Sequence, residues 1–332
     1  MKKYSIKDIA NLSGVSVATV SRVINDNGRF SEATRKKVLA TINETGYQTN
    51  FSAKNLRMNK SFSIGILVPD ISNYFFAKLV QTIEEILFNH GYSTVICNTA
   101  RNADKELAYL KMLESKGIDG LIVISGPKAF DIKQLPAAKN LPFICIDRQP
   151  SDQHGTVFIA SNHYQGAFEA TEALINNGCQ HPVIALHQQI SSSGIERRNG
   201  FIDALKKNNI FFNPEHNQVT IETDHILTTL QAFLKDHPET DGIFAINDTI
   251  GIEALTTLLK MGKAVPEDIK LIGFDDDPQD RHSFPTLSSV RQNVDQLAEV
   301  SVKNLLNMIT HEASPESSII IPVSLVLRES SR

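Results

Sequence analysis

The sequence has no tryptophan, only three cysteines among its 332 residues, and no apolar run long enough to cross a membrane. Without tryptophan, any aromatic platform for a ligand must be formed by Phe or Tyr. Cys97 and Cys145 lie inside apolar runs and Cys179 stands apart, which indicates buried thiols in a reducing compartment rather than disulfides. Since a signal-peptide pattern is also missing, we expect a cytosolic protein with no membrane contact.

Charge is divided unevenly along the chain. The net charge is −4, yet residues 1–60 contain 11 Lys and Arg against 4 Asp and Glu and therefore carry +7. The remaining 272 residues carry −11. A basic N-terminal segment on an acidic body is typical of proteins in which one segment contacts nucleic-acid phosphates.

Residues 5–25 predict two short helices joined by a tight turn. Ser5 and Asp8 have the spacing of a capping box at the start of the first helix. Gly14 can adopt the positive φ that a turn requires, and Ser16 can cap the second helix. The apolar faces consist of Ile6, Ile9, Ala10 and Leu12 and of Val20, Val23 and Ile24. This is the helix-turn-helix pattern, whose second helix enters the major groove of DNA.

Several side chains of the second helix are suited to reading DNA. Arg22 can form a bidentate hydrogen-bond pair with guanine, whereas Val17 and Ala18 can contact a thymine methyl group. The residues suited to phosphate contacts are Thr19, Ser21 and Asn25. The alternative is a helical hairpin that packs on another domain, but the coincidence of this segment with the basic region favours DNA binding.

A third helix and a short polar segment follow. Ser31 can cap this helix and Gly46 can end it. Its predicted buried face consists of Val38, Leu39 and Ile42. Residues 52–57 have the pattern of one further helix, which is too short to be stable alone in water. We expect it to order only on binding, when new contacts offset the lost entropy.

Residues 5–57 resemble the DNA-binding head and hinge of the LacI/GalR family of bacterial transcription regulators. The matching residues are Asp8-Ile9-Ala10, Gly14-Val15-Ser16, Thr19 to Val23, Gly46-Tyr47, Asn50, and Ala53 with Leu56-Arg57. The resemblance implies that two hinge helices pair in the minor groove, where Leu56 wedges between base pairs and kinks the duplex. The family usually has Arg-Pro after the tyrosine; here Gln48-Thr49 removes one positive charge and one rigid φ. The expected DNA contacts are Ser5, Ser16, Val17, Ala18, Thr19, Ser21, Arg22, Asn25, Tyr47, Asn50, Ala53 and Leu56.

The rest of the chain alternates apolar, β-rich runs with helical patterns. The runs cover residues 64–68, 94–97, 120–124, 143–146, 183–186, 242–246 and 269–274, and helical periodicity fills 76–90, 104–116 and 249–261. Continuous apolar strands that alternate with helices indicate parallel sheets covered on both faces. Because about 270 residues is large for one such sheet, we expect two α/β lobes.

The predicted fold is an all-α helix-turn-helix head followed by a two-lobed α/β core with parallel sheets, which the resemblance makes periplasmic-binding-protein-like. We place the head at residues 1–48, the hinge helix and linker at 49–61, and the effector-binding core at 62–332. Within the core, one lobe takes approximately residues 62–160 and 292–322. The other takes approximately residues 161–291 and the C-terminal strand.

Polar and aromatic residues follow the predicted strands, where ligands of parallel sheets bind. Carboxylates, amides, an arginine and two aromatic rings suit a polyhydroxylated ligand. The resemblance adds the first arginine of the family's Arg-x-x-Gly-Phe motif, here Arg197, and makes Phe76 the stacking ring. The family often has Asp before Asn where the second lobe begins, whereas this chain has Ser161 before Asn162. The expected effector contacts are Ser72, Phe75, Phe76, Asp147, Arg148, Arg197, Asn247 and Asp275.

Together these features predict a homodimeric transcription repressor that binds a near-palindromic double-stranded DNA operator and responds to a small metabolite, a sugar or sugar phosphate. The sequence ends without leucine heptads, so we expect a dimer. We also expect a cytoplasmic location associated with the bacterial nucleoid, no cofactor and no catalytic residues.

Three alternatives stay open at this point. A solute-binding protein of a transporter would share the core but not the basic head. An enzyme would use Asp147, Asp248 or Asp275 as acid or base, although no nucleophile–base spacing or dinucleotide motif supports it. A member of the same family could instead activate transcription or use its ligand as a corepressor.

No metal site is expected from the sequence. The three consecutive carboxylates Asp275 to Asp277 cannot all face one ion. The ten histidines show no metal-ligand spacing such as His-Glu-x-x-His.

The hinge pattern yields a first prediction. Leu56→Ala is expected to weaken operator binding while non-specific DNA binding persists, because the substitution removes the apolar wedge and leaves the charge unchanged. Fluorescence anisotropy with an operator duplex and a scrambled duplex of equal length measures both affinities, and Met58→Ala is the matched control. An equal loss of affinity for the two duplexes would contradict the wedge.

Overall fold

A computed structural model describes residues 4–47, 60–126, 129–134, 141–152, 156–222, 225–311 and 318–332. The chain divides into two compact units between Ser61 and Phe62. Three of the predicted DNA contacts (Asn50, Ala53 and Leu56) lie outside the described residues, as does the predicted hinge helix.

The described residues of the first unit form three helices: α1 (Ile6–Ser13), α2 (Val17–Ile24) and α3 (Glu32–Thr45). Ser5 forms the predicted capping box, since its hydroxyl accepts a hydrogen bond from the Asp8 amide while the Asp8 carboxylate accepts one from the Ser5 amide. Gly14 ends α1 in the left-handed conformation, with φ of 61°. The buried apolar residues are Ile9, Ala10, Val20, Val23 and Val38.

Two leucines expected on the apolar faces of this unit are exposed, so that expectation was wrong. Leu12 has 57% and Leu39 has 41% of its surface accessible. Val38 and Thr41 occupy the buried side of α3, and a helix rotates by about 100° per residue, which turns Leu39 outward. Thr41 tolerates burial because its hydroxyl donates to the Lys37 carbonyl oxygen.

The second unit is built from alternating strands and helices. The strands are β1 (Ser63–Val68), β2 (Ser93–Asn98), β3 (Gly120–Ile124), β4 (Phe143–Ile146), β5 (Thr156–Ser161), β6 (Pro182–His187), β7 (Gln218–Ile221), β8 (Gly242–Ala245), β9 (Lys270–Asp275), β10 (Ser288–Arg291), β11 (Ser318–Ile321) and β12 (Ser324–Val326). The α-helices are α4 (Tyr74–Asn89), α5 (Ala103–Ser115), α6 (His163–Asn176), α7 (Ser192–Lys207), α8 (Pro214–Asn217), α9 (Ile226–Asp236), α10 (Asp248–Lys260) and α11 (Val294–Thr310).

These strands form two six-stranded sheets, one in each lobe. The first has the order β11-β5-β4-β3-β1-β2 and is parallel throughout. The second has the order β12-β10-β9-β8-β6-β7 and is parallel except for the antiparallel pair of β10 and β12. Buried apolar side chains cover both sheets, which confirms the predicted fold class of a helical head and a two-lobed, mainly parallel α/β core.

Five strands were not among the predicted apolar runs: β5, β7, β10, β11 and β12. Three of these, β7, β11 and β12, lie at sheet edges and therefore need no continuous apolar sequence. β5 and β10 are interior strands with buried hydroxyls. Those of Thr156 and Ser289 donate to the Phe143 carbonyl oxygen and to the Asp248 carboxylate, respectively.

The chain passes between the two lobes three times. The first passage joins β5 to α6, which packs on the second sheet, and the second joins β10 to α11, which packs on the first. The third joins β11 to β12. Residues 161–163 and 291–294 therefore form the first and second connections between the lobes.

The three cysteines are free and buried, as predicted. Burial raises the pKa of Cys97 to about 11 and that of Cys145 to about 12, so these thiols stay protonated and unreactive near neutral pH. Among the described helices, none combines the length and the apolar character needed to cross a membrane.

Candidate functional sites

The first candidate site is the outward face of α2 in the helical unit. Ala18, Arg22 and Asn25 are exposed there, while Val17 and Ser21 are partly buried. The Arg22 guanidinium has no acidic partner within the described part of the chain. Its aliphatic stem runs beside the backbone of the following turn, since a Cβ placed on Gly28 would lie 3.4 Å from the arginine Cδ. A shallow depression at this position is lined by Ser21, Arg22, Asn25, Asn27 and Gly28.

Other predicted DNA contacts also serve the local fold. The Ser16 hydroxyl accepts from the Thr19 amide and caps α2. The Asn25 side-chain amide donates to the Ser21 carbonyl oxygen at 2.7 Å. Tyr47 packs against the apolar residues of the helical unit, and burial raises the pKa of its phenol. Ser16 and Asn25 therefore cap the two ends of α2, and Tyr47 packs on the apolar core, whether or not these residues contact DNA.

The second candidate site is a cleft between the two lobes of the core. Its lining combines aromatic rings, carboxylates, amides, hydroxyls and arginines. The residues are Asn73, Phe75, Phe76, Arg101, Ser125, Asp147, His187, Gln189, Ile190, Ser191, Ser193, Gly194, Arg197, Ile246, Asn247 and Asp275. The structure thus brings together six of the predicted effector contacts: Phe75, Phe76, Asp147, Arg197, Asn247 and Asp275.

Ser72 and Arg148, which were also predicted to contact the effector, are not part of this lining. The Ser72 hydroxyl donates to the Asp70 carboxylate at 2.6 Å and the residue is exposed. Arg148 is buried, and its guanidinium donates two hydrogen bonds to Glu106 at 2.7 and 3.0 Å. Glu106 thus holds the planar fork in a bidentate pair, which orients it toward α5.

A continuous chain of hydrogen bonds runs behind the cleft wall. It begins at Asp147, whose Oδ1 lies 2.7 Å from His163 Nε2 and accepts the Ser161 amide at 3.1 Å. His163 Nδ1 accepts a hydrogen bond from Arg197 Nε at 3.3 Å. Since Nδ1 is the acceptor in this arrangement, the proton lies on Nε2 and points at the carboxylate.

The chain continues from Arg197 within the second lobe. The arginine Nη2 lies 3.3 Å from Asp275 Oδ1, and the same oxygen accepts a hydrogen bond from Gln292 Nε2 at 2.7 Å. The guanidinium carbon also lies 3.6 Å from the centre of the Phe274 ring, a cation–π contact. His163 and Gln292 occupy the first and second passages between the lobes, so the network joins the cleft to both of them.

Burial dominates the electrostatics of this network. It lowers the pKa of His163 against the opposing effect of Asp147, and the imidazole is therefore neutral near pH 7. Burial likewise lowers the pKa of Arg197 and raises that of Asp275 well above its ordinary value, although the two groups face each other. An anionic Asp275 therefore depends on the donors of Arg197 and Gln292, because a buried charge without partners is unfavourable.

The cleft lining in the second lobe also contains His187 and Asn247, whose Nδ2 lies 3.2 Å from the imidazole Nε2. Burial, and next the positive charge of Arg101, lower the pKa of His187 to about 4. The imidazole is therefore a neutral acceptor over the physiological pH range. Asn247 Oδ1 also accepts the Ile250 amide and so caps α10.

Among the described residues, two hydrogen bonds besides those of the network behind the cleft wall cross the cleft from lobe to lobe. Asn73 Nδ2 lies 3.5 Å from Thr249 Oγ1, and the Ser192 hydroxyl donates to the Asp147 carbonyl oxygen at 2.9 Å. The lobes therefore meet at the cleft walls, and residues of both lobes can contact one small molecule.

Sequence reasoning missed Arg101, His163, His187 and Gln292. His163 directly follows Asn162, which the resemblance singled out, but nothing in the sequence placed His163 behind Asp147 or Gln292 behind Asp275. The three consecutive aspartates diverge as expected. Asp275 meets Arg197, Asp276 pairs with Arg291 and Arg328, and the Asp277 amide donates to Asp248.

Comparison with known protein families covers both units. The family of bacterial regulatory proteins, lacI family, matches residues 5–50. The family of periplasmic binding proteins and the sugar binding domain of the LacI family matches residues 61–329. Both described units therefore match parts of one regulator architecture.

Individual relatives match over nearly the whole length. The ribose operon repressor of Halalkalibacterium halodurans is 32% identical over 99% of this chain and 97% of its own. The sucrose operon repressor of Streptococcus mutans is 33% identical, with 98% of both chains covered.

Two solved structures share the fold. The Lac repressor dimer bound to operator and the anti-inducer ONPF has a TM-score of 0.87 at 24% identity, with 99% of each chain covered. A LacI family regulator from Enterococcus faecium with bound ribose has a TM-score of 0.73 at 26% identity, with 81% of this chain and 98% of that chain covered. The chain belongs to the LacI family of bacterial regulatory proteins and is a DNA-binding transcription regulator, not an enzyme.

Proposed function

We propose that this regulator is a homodimeric repressor of a sugar-utilisation operon, and that a small sugar or sugar phosphate bound in the cleft sets its operator affinity. The observation that carries this proposal is the composition of the cleft. Asp147, Asp275 and Asn247 supply acceptors and donors for hydroxyl groups, while Phe75 and Phe76 supply an apolar surface.

The relatives support a sugar as the ligand class. Two of them are named ribose and sucrose operon repressors, and one solved neighbour contains ribose. Arg101 in the cleft lining adds a positive charge, and arginine pairs well with phosphate groups. The proposed ligand class therefore includes sugar phosphates as well as free sugars.

Control of DNA binding would depend on the lobe arrangement. The cleft is lined from both lobes and lies beside two of the three passages between them, so a ligand that prefers one arrangement changes its population. The ligand can shift operator affinity only by its differential binding to the two states. A ligand that favours the arrangement with weak operator affinity is an inducer, and the opposite preference makes it a corepressor.

Exposed apolar side chains support pairing of two chains. Ile71, Tyr74, Phe88 and Ile96 in the first lobe keep between 40% and 70% of their surface accessible. Contiguous apolar patches mark protein–protein interaction sites, and a patch formed by these side chains would suit a second chain. A dimer would present two α2 helices to a near-palindromic operator, in the cytoplasm and at the bacterial nucleoid.

The DNA-reading role of Arg22 gives a second prediction. Arg22→Ala is expected to relax base preference at one position per half-site by about 1–3 kcal/mol, because a bidentate guanine contact is lost. Binding selection from a library of randomised operator variants measures the preference at each position. Arg29→Ala, which removes the same charge from an exposed position outside α2, is the control. A base-preference profile identical to that of the unchanged protein would exclude Arg22 as a base-reading residue.

The ligand class is tested by thermal shift with D-ribose, D-xylulose, sucrose and ribose 5-phosphate. A ligand that binds the folded state raises Tm by mass action and is expected to change operator affinity in anisotropy measurements. Asp275→Asn should abolish both responses without unfolding the protein, since the amide keeps the shape of the carboxylate and its oxygen can still accept from Arg197 and Gln292.

Asp104→Asn, on the exposed surface of α5, is the matched control for this experiment and should respond normally. Retention of the full response in Asp275→Asn would place the ligand elsewhere. Operator binding with no response to any sugar or sugar phosphate would contradict the effector part of the proposal and leave the DNA-binding part intact.

His163 connects two of the proposed ligand contacts, Asp147 and Arg197, and this position gives a further prediction. His163→Leu is expected to lower the free energy of unfolding by about 1–3 kcal/mol, because Asp147 and Arg197 each lose a buried partner. His163→Gln keeps one donor and one acceptor and should lose less. Denaturant unfolding measures both variants, and a ligand response weaker in the Leu variant than in the Gln variant would confirm the positioning role.

The same variants have an expected pH dependence. Burial lowers the pKa of His163 in the folded state, so the unfolded state binds the proton more readily. The stability that His163 contributes is therefore lost as pH falls below its unfolded pKa of about 6.5. The stability difference between the unchanged protein and His163→Gln should shrink from about pH 7 to about pH 5. A difference that grows over this range would contradict the neutral imidazole.

A further inference from the structure

A second group of ligating side chains lies on the surface of the second lobe, at residues that do not line the cleft. His216 belongs to the short helix α8, whereas His237 and Glu239 follow the end of α9. Their potential ligand atoms all lie within 4.8 Å of one another, the one group of three His, Cys, Asp or Glu residues with this property among the described residues. No sequence motif reveals this group, because His216 is far from the other two residues along the chain.

The distances within this group are longer than hydrogen bonds and close to the spacing of two ligands on one metal ion. Glu239 Oε1 lies 3.4 Å from His237 Nδ1 and 3.8 Å from His216 Nδ1. Both separations exceed the range of about 2.7–3.2 Å for a normal N–H···O hydrogen bond. Two ligands of a tetrahedral zinc ion, each bound at about 2.0–2.1 Å, are about 3.3 Å apart. The two separations from Glu239 are therefore close to this spacing, and the ligand atoms of the two imidazoles lie within 4.8 Å of each other.

Neighbouring contacts hold the two imidazoles in place. The His237 ring lies 4.4 Å from the Phe233 ring, one helical turn earlier in α9, and 4.9 Å from the His216 ring in an edge-to-face arrangement. The helix that contains His216 is anchored by buried Asn217, whose Nδ2 donates to the Pro182 carbonyl oxygen at 3.0 Å. A site built on anchored elements loses less conformational entropy when the ion binds.

The donor set also indicates the type of ion. Two neutral imidazoles and one carboxylate are a ligand combination that zinc accepts, with a fourth position left for water. The side chains of His216 and Glu239 are 55% and 41% accessible, so an ion can reach the site from solvent. Calcium and magnesium are disfavoured because they prefer oxygen ligands throughout.

We propose that His216, His237 and Glu239 form a zinc-binding site on the second lobe. The bound ion links α8 to the segment after α9 and stabilises that corner of the lobe. The proposal depends on neither the effector nor the operator, because the three residues lie outside the cleft lining and outside the helical unit.

Zinc titration of the full chain tests the site. Untagged protein is freed of metal with EDTA, dialysed and titrated with zinc chloride in an isothermal calorimeter. One zinc per chain is expected, together with a rise in Tm, since an ion that binds only the folded state stabilises it. His216→Gln and Glu239→Gln should each weaken zinc binding at least about tenfold, because even loss of an outer-shell partner typically weakens a metal site by that amount.

His282→Gln removes an exposed histidine elsewhere in the same lobe and serves as the control. Denaturant unfolding of each variant in EDTA shows whether the variant is folded before zinc is added. Because two different ligand residues are substituted, the test still gives a result if one variant is unstable. No saturable zinc binding would overturn the proposal. Zinc binding that survives both ligand variants, or that falls equally in the control, would also overturn it.

Discussion

The core depends on one arrangement, the buried hydrogen-bond chain from Asp147 through His163 and Arg197 to Asp275 and Gln292. Each of the three charged groups in this chain is removed from water, and each is tolerable there only because its neighbour supplies a donor or an acceptor. Two members of the chain occupy the passages between the lobes. The geometry of the cleft is therefore tied to the segments about which the lobes can move.

This arrangement explains why the cleft can be both specific and responsive. Its wall is pre-organised, since His163 holds the Asp147 carboxylate on one side and the Arg197 guanidinium on the other. The contacts that cross the cleft are few, at 3.5 Å between Asn73 and Thr249 and 2.9 Å between Ser192 and the Asp147 carbonyl oxygen. A ligand that enters the cleft therefore has few direct contacts between the lobes to replace, which is a requirement for a change in lobe arrangement.

The helical unit depends on local interactions and not on a buried polar network. Its serine caps, glycine turn and small apolar core use local interactions, and these leave Arg22 exposed on α2. Local rules explain why this part was predictable in detail: the capping box of Ser5 and Asp8, the end of α1 at Gly14 and the end of α3 at Gly46 are all confirmed. The exceptions, Leu12 and Leu39, concern which side of a helix faces its neighbours, and packing decides that.

The sequence by itself determined the helix-turn-helix, the basic head, the alternating α/β core and six of the residues that line the cleft. It could do so because caps, periodicity and the positions after parallel strands are local or topological features. Tertiary structure alone decided that Arg148 pairs with Glu106 outside the cleft lining, that His163 bridges Asp147 and Arg197, and that His216 meets His237 and Glu239. The physical reason is that each of these contacts joins residues from different elements, and the direction of a polar side chain is fixed by the partner that burial or packing brings within reach.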